Sequence, residues 1–366
     1  MSGTSLDGVD GVLADLENGA ISVEHYASAP FSEALRAELL ALNSPDGPNE
    51  LHRSALAANH LARAYADVVH VLMSSSGLPS SAVVAIGAHG QTVRHRPGEF
   101  DGVGYTMQIN NAALLAELSG IDVVADFRVR DLAAGGQGAP LVPAFHRALF
   151  GRPSETVAVL NLGGIANLSL LPPTDDADGK VLGFDCGPGN ALMDHWCQRH
   201  QGQPYDDGGR WAAGGRVLPV LLERLLADPY FAKPPPKSTG RDLFNPAWLD
   251  ARLASATPSE PIDVQATLAE LTARACADDL VRYDHCCRHL IVCGGGAFNA
   301  LVMARLAALL PGVDVGSSVA HGLPPLQVEA AAFAWLARCT VRREPGNLAS
   351  VTGARGPRVL GAIYPA

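Results

Sequence analysis

The sequence predicts an α/β protein of two domains, and three observations carry that reading. A chain of 366 residues is longer than one hydrophobic core ordinarily serves. Short apolar runs alternate with stretches of helical periodicity from end to end. The pattern then restarts near Val157, where a second glycine-containing hairpin opens a second series of strands and helices. Hydrophobic residues make up 48% and charged residues 17%, a balance that excludes disorder and requires a large buried interior.

The elements are read in order. Residues 9–16 and 21–26 form a hairpin about Asn18-Gly19, a dipeptide suited to a tight turn. Over 50–73 the apolar residues Leu51, Ala55, Ala58, Leu61, Ala62, Tyr65, Val69 and Leu72 recur at helical spacing. A buried strand at 83–89 runs into a glycine turn, followed by a strand at 105–109, a helix at 112–118 and a strand at 121–125. The second series has a hairpin of 157–162 with 165–171 about Gly163-Gly164, then a strand at 181–185 ending in Gly-Pro-Gly-Asn. Asn190 is placed to cap a helix through Trp196. Helices at 262–282, 297–309 and 327–336, a strand at 290–293 and short strands over 351–364 complete the chain. Residues 231–245, with Pro234-Pro235-Pro236, read as a loop excursion.

The charge of −10, with no basic block, argues against nucleic acid, whose binding rests on phosphate neutralisation. A nucleotide is still compatible, because backbone amides and a metal ion bind phosphate with little net positive charge. Glycine, proline or charge interrupts every apolar run before the roughly 18 residues of a membrane span. The opening MSGTSLDGVD lacks signal-peptide character, so the cytoplasm is the expected compartment. Seven scattered cysteines with no C-x-x-C pair support neither zinc nor a disulfide framework, and read as buried thiols.

Three glycine-rich turns carry the functional signal, and none is a P-loop, a dinucleotide fingerprint, a nucleophile elbow or a zincin helix. In Gly3-Thr4-Ser5-Leu6-Asp7-Gly8, converging amides and two hydroxyls can cradle a phosphate, and Asp7 can hold hydrated Mg²⁺; a plain turn is the competing reading. Asn161-Leu162-Gly163-Gly164-Ile165-Ala166-Asn167 is a hairpin tip, weak evidence alone. Gly294-Gly295-Gly296, between an apolar strand and a helix, is costly in chain entropy and makes sense where a flat ligand lies against backbone. Asp185 ends a strand before the stiff Gly187-Pro188-Gly189 turn, where a carboxylate can take a proton from a bound hydroxyl or water, or serve merely as a turn residue.

Taken together and in this order, these segments resemble the acetate and sugar kinase, chaperone and actin superfamily. The connecting text narrows the match. Residues 1–10, Ala88-His89-Gly90-Gln91-Thr92-Val93, Met107-Gln108-Ile109, Asp126-Phe127-Arg128, the glycine-rich run 135–143, residues 161–167, 183–196 and 294–299, and Val328-Glu329-Ala330 resemble the anhydro-N-acetylmuramic acid kinase family. The resemblance spans nearly the whole chain. It implies the two-domain actin-like sugar kinase fold, with ATP and substrate in the interdomain cleft. It also implies hydrolytic opening of a 1,6-anhydro amino sugar with phosphorylation of O6, in cell-wall recycling and amino-sugar catabolism.

The implied roles are these. Asp185 is the base that activates water, and Glu329 helps place it. ATP meets Gly3, Thr4, Ser5, Leu6, Asp7, Gly8, Val9 and Asp10, then Asn161, Gly163 and Gly164, and at the adenosine Gly294, Gly295, Gly296 and Asn299. Mg²⁺ is held by Asp7 through water. The amino sugar meets His89, Gln91, Thr92, Gln108 and Arg128 together with Asp185 and Glu329. His89 and Gln91 can bond sugar or lactyl oxygens, or be satisfied turn residues. Arg128 and Arg130 can meet the lactyl carboxylate, or form a surface pair with Asp126 or Asp131. The implied domains are 1–130 with 340–366, and 131–339, with Gly135 to Gly138 as hinge or substrate loop. Partners are the small-molecule amino sugar and ATP, with no nucleic acid and no membrane; a homodimer is left open.

Two rivals share the fold: a kinase acting on an ordinary hydroxyl, and a non-catalytic nucleotide-binding clamp. The Glu329 segment and His89-Gly90-Gln91-Thr92 argue against the first, and Asp185 with its rigid turn against the second. In the superfamily the first phosphate hairpin is entered from a strand. The resemblance therefore implies an apolar, β-rich segment of about 5–10 residues ahead of Met1, without which residues 9–16 lack a strand partner.

Overall fold

The computed structural model describes residues 1–3, 6–17, 21–45, 47–240, 243–254 and 259–366. The chain forms two compact units, Met1–Leu149 with Leu326–Ala366, and Phe150–Pro325. These boundaries differ from 130/131 and 339/340. The reason is apolar packing: Phe145 lies 6.2 Å from Trp335, and Leu141 shares a core with Phe333 and Leu336. The helices Val142–Phe150 and Val328–Val341 thereby belong with the first unit, and Glu329 goes with them.

In the first unit β1 (Gly8–Asp15) pairs antiparallel with β2 (Ser22–Pro30), from Gly8 opposite Pro30 to Asp15 opposite Ser22. The predicted Asn18-Gly19 turn lies outside the described residues. The helix Glu50–Ser76 buries Ala58, Leu61, Ala62, Tyr65 and Leu72 of the expected stripe together with Ala57, Ala66 and Val68, leaves Leu51 and Ala55 exposed and Val69 half-buried, and stops at Gly77 with φ +68. The strand expected over 83–89 shrinks to β3 (Ile86–Gly87). Gln91 and Thr92 start a strand, β4 (Gln91–Pro97), rather than sitting in a turn. β4 forms a hairpin with β5 (Gly104–Ile109). β6 (Val123–Ala125) is the centre of a small sheet flanked by β3 and by β12 (Ala362–Tyr364).

The other edge of β1 bears on the expected entering strand. Residues 9–16 do have a partner in β2, but opposite it only Met1 bonds to β1 among the described residues. The Met1 ammonium donates to Asp10 O at 2.7 Å and Asp10 N–H donates to Met1 O at 2.9 Å, the doubly bonded arrangement of an antiparallel pair. Beyond Met1 a cavity of about 800 Å³ separates Gly11 and Leu13 of β1 from Ile86 of β3, with Leu72 and Ala337 on its walls.

The second unit is a five-stranded mixed sheet in the order β11-β10-β7-β8-β9. β7 (Val157–Leu162), β8 (Ile165–Leu171) and β9 (Leu182–Pro188) run antiparallel in sequence, while β10 (His289–Cys293) lies parallel to β7 and β11 (Asp314–Ser317) parallel to β10. β7 buries Val157, Ala158, Val159 and Leu160 completely, as a central strand covered on both faces must. The helix Pro261–Tyr283 is buried over most of its length, with Leu268, Leu271 and Leu280 in the same core as Leu168, Leu170 and Phe184.

Three further expectations change. β9 continues through Asp185 to Pro188, so Asp185 is held within a strand rather than at its end. The helix expected at 297–309 is a 3₁₀ turn, Gly295–Phe298, and then a helix Ala300–Leu309, broken at Asn299 by extended backbone. Residues 349–352 form a short helix where strands were expected. Gly135 and Gly138 have left-handed φ, but Gly138 N–H is fixed at 2.7 Å on the buried Asp131 carboxylate, which also accepts from Asn347 and Thr352. That loop is pinned inside the first unit and is not where the chain passes to the second. All seven cysteines are free thiols, and only Cys286 is exposed. Among the described residues no helix is long and apolar enough to cross a membrane.

Candidate functional site

In the second unit β9 places Asp185 opposite Asn167 of β8. A loop then grips it. Thr239 N–H donates to Asp185 Oδ2 at 2.9 Å, Asp185 N–H donates to Lys237 O at 3.2 Å, and Tyr230 O–H donates to Asp185 O at 2.7 Å. Burial raises the Asp185 carboxyl to about 6, an effect the Thr239 amide and the Lys237 ammonium partly offset. A carboxylate that is ionised at neutral pH yet more basic than usual is matched to proton abstraction. No local signal marks residues 230–239 as its surroundings, because the contact closes across 45 to 54 residues of chain.

The two glycine turns of this unit are stitched together. Asn190 N–H donates to Gly163 O at 2.8 Å and Gly189 N–H to Gly164 O at 3.0 Å, fixing the hairpin tip. Asn190 starts the helix Ala191–Gln201 without capping it; its Nδ2 instead donates to Leu162 O at 2.9 Å. Gly294 has φ +78, and a side chain there would run into Asn161 and the Leu162 carbonyl. A Cβ on Gly296 would press on Leu162 and Asn190, whereas at Gly163 and Gly295 it would meet its neighbours only at ordinary van der Waals distance, 3.6 Å or more. Asn299 uses its Oδ1 to cap the helix Ala300–Leu309, accepting from Val302 N–H at 3.1 Å.

In the first unit, charge and hydrogen bonding gather around His89. The Arg128 Nε and Nη2 lie 3.1 and 2.9 Å from His89 Nε2, and its Nη1 donates to Gly138 O at 2.8 Å. Burial first, then Arg128, holds the His89 imidazole well below its ordinary pKa, so it is neutral, accepts at Nε2 and carries its proton on Nδ1. That Nδ1 is buried and meets no partner at full hydrogen-bond geometry among the described residues, although the Ser2 and Gly90 backbone lies close enough to favour a proton on the ring. Gln91 donates to Gly3 O at 3.1 Å and leaves its Oε1 buried with no partner among the described residues, as Asn110 does with both amide atoms. Asn110 was not singled out in the sequence; only its neighbourhood with Gly90 marks it. Thr92 and Gln108, by contrast, satisfy one another at 3.2 Å across the hairpin.

Glu329 sits in the first turn of the helix Val328–Val341, half-buried, its carboxyl raised by burial while Arg128 opposes the rise. Burial lowers Arg128 to about 10, with Glu329 and Asp131 counteracting. Arg128 is therefore not a surface pair with Asp126 or Asp131, and Arg130 is exposed, apart from this group. In the first turn Leu6 takes a left-handed φ of 59, and Thr4 and Ser5 lie outside the described residues. Asp7 is exposed, 3.8 Å from Arg36; Asp10 accepts from Tyr26 O–H at 2.6 Å. Gly8 is required by the close approach of Ala29, and Val9 is core. No group of three metal-ligating side chains occurs among the described residues.

The family model of anhydro-N-acetylmuramic acid kinase matches residues 1–366. The chain belongs to that family. A curated anhydro-N-acetylmuramic acid kinase of Variovorax paradoxus is 73% identical over 367 residues, covering 100% of this chain and 98% of that protein. Those of Albidiferax ferrireducens and Cupriavidus metallidurans are 62% and 59% identical over 382 and 368 residues, covering all of this chain and 98% and 96% of theirs.

For an anhydro-N-acetylmuramic acid kinase the residues present fit a nucleotide. The uncrowded backbone of Gly163 and Gly295, beside glycines at which a side chain would clash, is of the kind that fits against a phosphate and a flat ring. The orphaned Gln91 Oε1 and Asn110 amide are what a site for a polar small molecule looks like without its ligand, since buried polar atoms otherwise find partners.

Proposed function

We propose that this chain uses ATP and water to convert 1,6-anhydro-N-acetylmuramic acid into N-acetylmuramic acid 6-phosphate. The observation that carries this is Asp185: a carboxylate raised to about 6 by burial and aimed by the Thr239 amide, in a chain whose family is named for that reaction. Asp185 takes a proton from water as the water oxygen bonds the anomeric carbon. The C1–O6 bond breaks, and its electron pair leaves on O6. That oxygen attacks the γ-phosphorus, and the bond to the bridging oxygen breaks to release ADP. Oxocarbenium character at the anomeric carbon is stabilised by the nearby carboxylate, and Glu329 helps to place the water.

The Asn161–Gly164 tip and the Gly3–Asp10 turn hold the phosphates, and Gly294, Gly295 and Gly296 the adenosine. The exposed Asp7 would hold Mg²⁺ through water, and the ion would supply charge neutralisation for the transferring phosphoryl group. His89 Nδ1–H, Gln91 and Arg128 recognise the polar groups of the sugar, and Thr92 and Gln108 shape the wall beside them. The substrates are small cytoplasmic molecules of cell-wall turnover. A reaction run in ¹⁸O-water tests the reading: one label belongs at the anomeric oxygen before mutarotation and none on phosphate. Label on phosphate, or ATP consumed without ring opening, overturns it.

A further inference from the structure

Asp185 owes its orientation to a stretch of chain that belongs to no helix or strand. The segment runs from the 3₁₀ turn Pro229–Ala232 through Pro234-Pro235-Pro236 to Thr239. Such a segment holds a carboxylate in place only if something fixes the segment. The side chain that does so is unusual for a loop: the side chain of Lys237 is only 2% exposed, its Nζ lying 2.8 Å from Asp279 Oδ2, whose own side chain is 4% exposed. The ammonium also lies over two rings, 5.2 Å from the centroid of Tyr230 and 5.6 Å from that of Phe184. Asp279 is rooted in the helix Pro261–Tyr283 and is flanked by Arg282 at 3.6 Å.

Burying two ions is costly, and an apolar pair of the same volume anchors a loop as well or better. The ion pair therefore calls for a reason beyond anchoring, and Asp185 supplies one. Lys237 O receives the Asp185 N–H, and two residues later Thr239 N–H meets Asp185 Oδ2. Tyr230, which carries the ammonium on its ring, donates its O–H to Asp185 O. Thr239 Oγ1, buried beside the carboxylate, has no partner among the described residues.

We propose that Lys237, locked on Asp279, is a positioning residue: it fixes the 237–239 segment on Asp185 and so aims the carboxylate. This inference rests on Asp185 being the base. The charged and titratable groups that interact with Asp185 are Lys237 and Tyr230, both from the loop; Asp279 from the helix and Cys186 on its own strand act on Tyr230, and Cys276 from the helix on Cys186. Lys237 is the one that favours the ionised form.

The test compares Lys237→Met, Lys237→Arg, Lys237→Met with Asp279→Leu, and Asp185→Asn. Turnover of ATP and the anhydro sugar is followed from pH 5 to 9, with the fold checked by circular dichroism. Lys237→Met lowers kcat about 10- to 100-fold, as a small misplacement does, and moves the acid limb of kcat to higher pH. Lys237→Arg keeps the limb near its original place. The double variant, free of any unpaired buried ion, folds even if the single one does not, and still shows the lowered kcat and the displaced limb. A folded double variant with the original kcat and limb overturns the inference and leaves Lys237 as mere scaffolding. Asp185→Asn separates the two failures: if it keeps turnover, the base assignment falls; if it is inactive while the Lys237 variants behave as wild type, only the positioning role falls.

Discussion

Arg128 donates to His89 Nε2 through two guanidinium nitrogens, at 2.9 and 3.1 Å, and this fixes the histidine as a neutral donor at Nδ1. A histidine in a glycine turn, ambiguous in the sequence, becomes a group of one defined tautomer because a buried cation occupies its other nitrogen.

His89→Ala removes that donor, and kcat/KM for the sugar falls about 5- to 100-fold, the effect of losing one buried hydrogen bond to a ligand. KM for ATP is unchanged, and His89→Asn, which keeps a donor near Nδ1, recovers part of the loss. Steady-state kinetics with each substrate varied in turn gives the answer. Equal losses toward both substrates would remove His89 from sugar recognition.

Because burial raises Asp185 to about 6, its ionised form disappears as the pH falls through that value. kcat therefore declines below about pH 6 along a single-proton limb, and the limb is absent from the residual rate of Asp185→Asn, which is lower by roughly 10² to 10⁴. His89 does not contribute, since it is neutral throughout this range. A limb that persists unchanged in the Asn variant would point to a different base.

The same shift has a stability consequence. A carboxyl whose folded pKa exceeds its unfolded value costs nothing when protonated in both states, and destabilises the fold increasingly as pH rises from about 4 to 6. Asp185→Asn is thus more stable than wild type at pH 8, by on the order of 1–3 kcal/mol, and loses that advantage at pH 4. Urea melts of both proteins at the two pH values measure it. Equal midpoints at pH 8 would mean that burial does not strain the carboxylate.

Gly294→Ala places a side chain where φ is +78 and against the Leu162 carbonyl, so the turn must move. The expected result is a rise of about tenfold or more in KM for ATP with a fold that melts somewhat earlier. Gly295→Ala, whose Cβ would meet its nearest neighbour, Asn190 Nδ2, at an ordinary 3.8 Å, lowers ATP affinity without that loss of stability. If Gly295→Ala binds ATP normally, adenosine does not lie on this turn.

The sequence by itself determined the local elements whose signal is dense: the helix Glu50–Ser76, the central strands β7 and β10, and the glycine turns. Burial on one or both faces of an element leaves a mark within a few residues, so these were legible. Tertiary structure alone decided which unit holds Glu329, because the packing of Phe145 on Trp335 joins residues far apart in sequence. It alone decided that Asn190 ties two turns together instead of capping a helix, and that Arg128 serves His89 instead of a surface carboxylate. It also brought Lys237 and Thr239 to Asp185 from a proline-rich loop with no periodicity of its own. Long-range hydrogen bonds and ion pairs depend on where loops come to rest once the cores have formed. A lysine followed by a threonine in a loop carries no local trace of the aspartate it will meet.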